Sequence, residues 1–366
     1  MGILKMTDNK DKPLSMLREY MSKEPLVRFS QMTLQDIPLI SKLLMSVWPQ
    51  HYPKAGFPVF SEDYLQWVLG GPNKDKHLLF GGMMNDELVA YQSLLFRKIS
   101  YCGNRLNAYL CSHVTISHKI DFRLRMDCGL QMGAQYALLH KDSKYFDPNC
   151  DLVYGFAEDN VSLRSFGDRL LKQYLQIDRK TFSIFNQFMV MPNLLKTYLL
   201  KNPIGKSFFI RPASEKDSDQ LEKLFNHIPE EPHFIMLMTE DELKHHFFGH
   251  PAHRTFIIED YGTIRAFINF YPLEFVKRDK TYTYIIIEFL VSEHDNKTYA
   301  SALLQEAVAF AEEIGAKGVV FENATYLDQD TYQKIGLIPT FRKMAMSLIS
   351  KSHPIDYSDT FRCDVK

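Results

Sequence analysis

The chain repeats itself, and that repeat limits its possible folds more than any other feature. FSQMTLQDIPLISKLL from Phe29 matches IRPASEKDSDQLEKLF from Ile210, each a strand end running into a helix, with Asp36 and Asp217 in register. SEDYLQWVL from Ser61 matches TEDELKHHF from Thr239. NDELVAYQSL then answers DYGTIRAFINF, and CSHVTIS answers IIEFLVS with His113 opposite Glu288. Four similarities in the same order imply two copies of one α/β unit. The expected boundaries are a mobile tail over 1–25, units over 26–200 and 207–350 joined by a linker at 201–206, and a tail over 351–366. Pro203 and Gly205 mark that linker.

Each unit reads as strand, helix, helix, a meander of strands, a long helix, a strand, a short helix and a last strand, which is an α/β (α+β, mixed-sheet) class. In the second long helix Ala300, Leu303, Leu304, Ala307, Phe310, Ala311 and Ile314 recur at helical spacing, one wide apolar face, and Gly315 is placed to stop it.

Composition excludes several classes. Lys plus Arg total 43 against 44 for Asp plus Glu, so no chain-wide positive field favours nucleic acid. The five cysteines are odd in number and form no CxxC pair, which fits neither a disulfide framework nor a zinc ribbon and suggests a reducing, cytoplasmic setting. No apolar run is long enough to span a membrane. HHFFGHPAH gathers His245, His246, His250 and His253, but with no HExxH and no cysteine partner it reads as surface or packing rather than a metal site. No metal is expected.

The order of elements, and the junction where a strand meets the long helix, resemble the GNAT superfamily of acyl-CoA-dependent N-acyltransferases, present twice in tandem. That resemblance implies a coenzyme A pyrophosphate held by amides at the start of the long helix, where free N–H groups and the helix dipole favour an anion. In the first copy DFRLRMDCG supplies Arg123 and Arg125. The family's glycine positions fall there on Met126 and Cys128, with Gly129 one residue late and Asp127 between them. In the second copy those positions fall on Thr298 and Ala300. The cationic loop favours the first copy as coenzyme holder, and a solvated charged loop is the alternative.

ELKHHFF, FINFYPLEFV and FENATYLDQDTYQKIGL in the second copy also resemble the C-terminal half of protein N-myristoyltransferases, themselves two fused GNAT folds. FSEDYLQWVL and NAYLCSHVTISHK in the first copy echo the other half. In that family the base is the carboxylate ending the chain, and here the end reads FRCDVK.

The GNAT resemblance implies catalytic roles. Glu288 stands where many members place a base, or is a solvated strand-end carboxylate. His113, at the equivalent point of the first copy, is expected to titrate near neutral pH, or is a structural histidine. Tyr332 matches a general acid for the coenzyme sulfur, or is a helix-face aromatic. Asn160 would touch the pantetheine arm, or cap a helix. The expected activity is transfer from acetyl-CoA or another acyl-CoA to a primary amine. Long-chain transfer to a peptide N-terminus, or a catalytically silent acyl-CoA or peptide binder, are the alternatives. Acyl length, acceptor, active copy and oligomeric state are not legible in the sequence.

Overall fold

The computed structural model describes residues 26–51, 56–101, 103–135, 147–158, 180–190, 208–227, 234–278, 280–321, 338–350 and 363–364. Within them the first half runs β1 (Arg28–Met32), α1 (Ile37–His51), β2 (Phe57–Pro58), α2 (Glu62–Leu69), β3 (Leu78–Met84), β4 (Glu87–Tyr101), β5 (Asn104–Ile116), α3 (Phe122–Gln135), β6 (Leu152–Glu158) and β7 (Lys180–Val190). The second half runs β8 (Phe209–Pro212), α4 (Ser218–Phe225), β9 (Phe234–Leu237), α5 (Glu240–Phe248), β10 (Arg254–Asp260), β11 (Thr263–Lys277), β12 (Lys280–Ser292), α6 (Lys297–Glu313), β13 (Gly318–Phe321) and β14 (Ile338–Ser350), with β15 (Cys363–Asp364) near the end.

The stretches that match in sequence fold alike. Thr33 and Asp36 form a capping box, as do Ser214 and Asp217; Ser61 caps α2 and Thr239 caps α5. Each of these side chains satisfies amides that a helix start leaves without partners. The long hairpins also correspond: β4 and β11 each span 15 residues, β5 and β12 each 13. β5 then pairs in parallel with β6, and β12 with β13, the crossovers being made by α3 and α6.

The described strands belong to one sheet, whose main path is β1-β3-β4-β5-β6-β14-β7-β13-β12-β11-β10-β8. The halves interlock within it. β14 of the second half lies between β6 and β7, and β7 of the first lies between β14 and β13. Two small exchanges tie the hairpins as well: β2 pairs with β11 at Phe275 and Val276, and β9 pairs with β4 from Lys98 to Tyr101. β15 adds to the free side of β9.

Helices cover both faces. α1 and α2 bury Ile40, Leu44, Leu65 and Leu69 against Leu79, Tyr91 and Leu95. α4 and α5 bury Leu221, Phe225, Leu243 and Phe247 against Phe267 and Phe289. On the opposite face of the second hairpin, α6 inserts Ala300, Leu303, Leu304, Ala307 and Ala311 against Ile268, Phe270 and Ile285. The small alanines let this helix approach the sheet closely. Phe310 packs at the edge of that cluster, whereas Ile314, expected on the same face, is 40% exposed because the helix has already ended. Gly315 turns the chain with φ of +67°, a conformation that costs a residue with a Cβ about 1 kcal/mol or more.

The expected roles of Tyr332 and Asn160, and the tail over 1–25 and linker over 201–206, fall outside the described residues. So does the tail over 351–366, apart from β15.

Candidate active site

His113 and Glu288 occupy corresponding irregularities. The β11–β12 register jumps from Asn269 opposite Phe289 to Phe270 opposite Ile287, leaving Glu288 as an extra residue, a β-bulge. The β4–β5 register also breaks, from Tyr91 opposite Thr115 to Ser93 opposite Ser112, so that His113 and Val114 stand against Gln92, and His113 has φ of +55°. A bulge re-aims a side chain that regular pleating would send to the other face. Sequence comparison put these two residues opposite each other, and both lie at a register break of the corresponding hairpin.

Their environments differ. The His113 ring places Nδ1 3.0 Å from Ser93 Oγ and meets the Phe60 ring edge-on at 5.7 Å. Burial pushes its pKa down to about 4, so it is neutral at pH 7 and a weak base. The expectation that His113 titrates near neutral pH is therefore corrected: loss of solvation on burial penalises the imidazolium.

Glu288 is only 19% exposed, and its Oε1 lies 3.0 Å from His246 Nδ1. Its Oε2 is shielded from solvent and has no hydrogen-bond partner among the described residues. A carboxylate with one oxygen held and the other unengaged is arranged to accept a proton from something else. It is not the solvated strand-end group that its sequence position also allowed.

The partner of Glu288 belongs to a cluster that sequence reading missed. Trp67 on α2 reaches across to α5: the Trp67 carbonyl accepts a 2.9 Å hydrogen bond from His245 Nε2, and Trp67 Nε1–H points at the His245 carbonyl at 3.4 Å. The indole also meets the rings of His246 at 5.7 Å, His253 at 4.4 Å and Tyr271 at 5.3 Å. His253 stacks on Tyr271 at 4.6 Å, and burial pushes its pKa down to about 4. The histidine-rich stretch is thus packing, not surface. Nothing in its local spacing reveals a tryptophan 178 residues away. Beside the cluster, His245 and His246 line a small open recess together with Asn73, Arg97 and Glu242. Asn73 donates to Glu242 across it, a further link between the halves.

The expected anion loops are largely helix. In the first half α3 begins at Phe122, and Asp121 already caps it, its Oδ1 accepting from Leu124 N at 2.9 Å. Met126, Asp127, Cys128 and Gly129 therefore sit inside the helix rather than in a loop before it. Cys128 is fully buried with Val27, Val89 and Met132. Asp127 is 3% exposed and accepts from Gln131 Nε2, so it faces the protein and not an approaching anion. Arg123 and Arg125 are exposed in the first turn, free to meet a phosphate from solvent. In the second half the Asn296 side chain takes the amides of Thr298 and Tyr299, and Ala300 is buried in the core. That helix start is satisfied internally, for lack of glycines that would let the backbone approach a ligand.

Among the described residues no group of His, Cys, Asp and Glu is arranged to hold a metal ion, and no helix is long and apolar enough to cross a membrane. Cys111, Cys128 and Cys150 are buried.

Comparison with known proteins bears on the fold and on the second half of the sequence. Residues 180–334 match the sequence model of the myristoyl-CoA:protein N-myristoyltransferase C-terminal domain. No curated protein sequence matches significantly. Among solved structures, N-myristoyltransferase of Saccharomyces cerevisiae with bound myristoyl-CoA superposes with a TM-score of 0.66 at 13% identity, over 100% of this chain and 89% of that one. A probable N-acyltransferase from Enterococcus faecalis V583 gives 0.52 at 11% identity, covering 89% of this chain and 73% of its own. A GCN5-related N-acetyltransferase from Kribbella flavida gives 0.53 at 13% identity, covering 87% and 71%. The chain thus has the mixed α/β fold of the GNAT and N-myristoyltransferase acyltransferases, with its N-myristoyltransferase-like sequence over residues 180–334.

Proposed function

We propose that the protein is an acyl-CoA-dependent N-acyltransferase of the N-myristoyltransferase type, moving a long-chain acyl group to a primary amine such as a peptide N-terminus. Acetyl transfer is the second reading, favoured by the Kribbella flavida neighbour. The observation that carries the proposal is Glu288, a shielded carboxylate at a β-bulge with one oxygen held and one unengaged, inside the segment that matches the N-myristoyltransferase domain. Both units, 26–200 and 207–350, contribute in this reading. The first holds the acyl-CoA through Arg123 and Arg125, and the second supplies the base.

Glu288 takes a proton from the acceptor ammonium. The freed amine lone pair attacks the thioester carbonyl and the C–N bond forms; as the C–S bond breaks, the nitrogen gives up its second proton, which ends on the departing coenzyme A thiolate. No covalent enzyme intermediate is needed. A reducing, cytoplasmic setting, expected from the odd and unpaired spacing of the cysteines in the sequence, belongs to the same reading.

Titration calorimetry with coenzyme A, acetyl-CoA and myristoyl-CoA tests this, followed by turnover with peptide amines. Myristoyl-CoA should bind most tightly. The Arg123→Ala, Arg125→Ala double variant should weaken binding, and Glu288→Gln should bind normally but lower kcat by roughly 10²–10⁴-fold. Tightest binding of acetyl-CoA selects the second reading. Failure of every acyl-CoA to bind overturns both.

A further inference from the structure

Glu288 is held from outside its own hairpin. Its Oε1 faces His246 Nδ1 on α5, and that imidazole is itself wedged in place by rings from three directions: Trp67 at 5.7 Å, His245 at 5.8 Å and Phe289 at 6.0 Å. An ionised carboxylate only accepts, so Nδ1 carries the hydrogen and donates. Trp67 comes from α2 of the first half, and the reciprocal hydrogen bonds between Trp67 and His245 lock α2 to α5. The position of the imidazole is therefore fixed by the contact between the halves.

We propose that His246 is a positioning residue for amine acylation: its Nδ1–H pins Glu288 Oε1 and leaves Oε2 unengaged, held in one place to take the proton of an acceptor ammonium that displaces the groups shielding it. This rests on the acyltransferase reading above. Its physical content is orientational. A glutamate has three rotatable side-chain bonds, and a base free to swing spends most of its time out of reach of the proton, whereas displacement of a reacting group by about 1 Å costs on the order of 10²-fold in rate. His246 removes that freedom without quenching the base, since it occupies one oxygen and leaves the other.

The geometry separates hydrogen bonding from bulk. Asparagine carries an amide N–H close to where Nδ1 stands, whereas phenylalanine keeps the ring and has no donor. The wild-type protein is first shown to bind myristoyl-CoA and acylate a peptide amine; kcat and KM are then measured for His246→Asn and His246→Phe. The Phe variant should lose on the order of 10²-fold in kcat, with KM for acyl-CoA unchanged, and the Asn variant should recover most of that loss. In the Glu288→Gln background the Phe substitution should add little further loss. If the Phe variant does not fold, His246→Leu, also without a donor, replaces it. Equal losses in the Asn and donor-free variants, or wild-type kcat in both, overturn the positioning role while the acyltransferase reading stands. Acyl-CoA binding without amine turnover in the wild type overturns both the base and its positioning residue. Absence of acyl-CoA binding removes the reading beneath them.

Discussion

Substituting His253 by Phe should make the protein less sensitive to acid, by an amount the structure fixes. His253 is 6% exposed, lies against Trp67 and Tyr271, and has its pKa lowered to about 4 from the ordinary 6.5, chiefly by burial. As pH falls through 6.5 the unfolded chain binds a proton at this position and the folded chain does not, so stability drops with falling pH until about 4 and is then flat. Relative to pH 8, the loss from this group is about 1 kcal/mol at pH 5.5, about 2 kcal/mol at pH 5 and about 3 kcal/mol below pH 4. Phenylalanine keeps a planar ring in the stack and cannot be protonated. Urea unfolding of both proteins between pH 8 and pH 4.5 gives the difference directly, read by circular dichroism and by the fluorescence of the two tryptophans, one of which lies in this cluster. His77 and His113 titrate with the same sign, at about 3 and about 4, and their contribution cancels between the two proteins. The variant should gain on the wild type by about 2 kcal/mol between pH 8 and pH 5 at unchanged m-value. A stability difference that stays constant with pH would refute burial as the cause.

Asp217, 9% exposed at its side chain, accepts two hydrogen bonds from Arg211, which also bonds Glu259, and two more from Ser214. The Arg211 guanidinium holds its pKa down to about 2, so the pairing contributes about 2 kcal/mol that is present above pH 4 and lost as pH falls toward 2. Asp217→Asn should show that loss at pH 7 in urea unfolding, with no additional acid sensitivity from this site. Gly81→Ala should destabilise by about 1–3 kcal/mol, since its Cβ would sit 2.2 Å from Met32 Sδ and 2.8 Å from Leu88 Cδ1, both in the packed α1 core. A thermal melt that leaves Tm unchanged would show that Met32 can move aside.

What the chain by itself determined was local and periodic. The matching runs from Phe29 and Ile210 specified equivalent strand, cap and helix because Thr33, Asp36, Ser214 and Asp217 satisfy helix amides within three residues of themselves. The alanine and leucine spacing specified the buried face of α6, and Gly315 its end. Alignment of the halves even placed His113 opposite Glu288, because a bulge recurs when a hairpin recurs. The tertiary structure decided what each of those positions is able to do. His113 and Glu288 are equivalent in the pattern, yet one lies against Phe60 and is too weak a base, while the other is held by an imidazole and keeps an oxygen free. Asp121 and Asn296 claim amides at the two long-helix starts, through side-chain rotamers that a motif does not encode. The seam at Trp67, His246 and Glu288 joins residues from three distant segments. Its existence depends on how two halves interlock in one sheet, a non-local arrangement that no window of sequence contains.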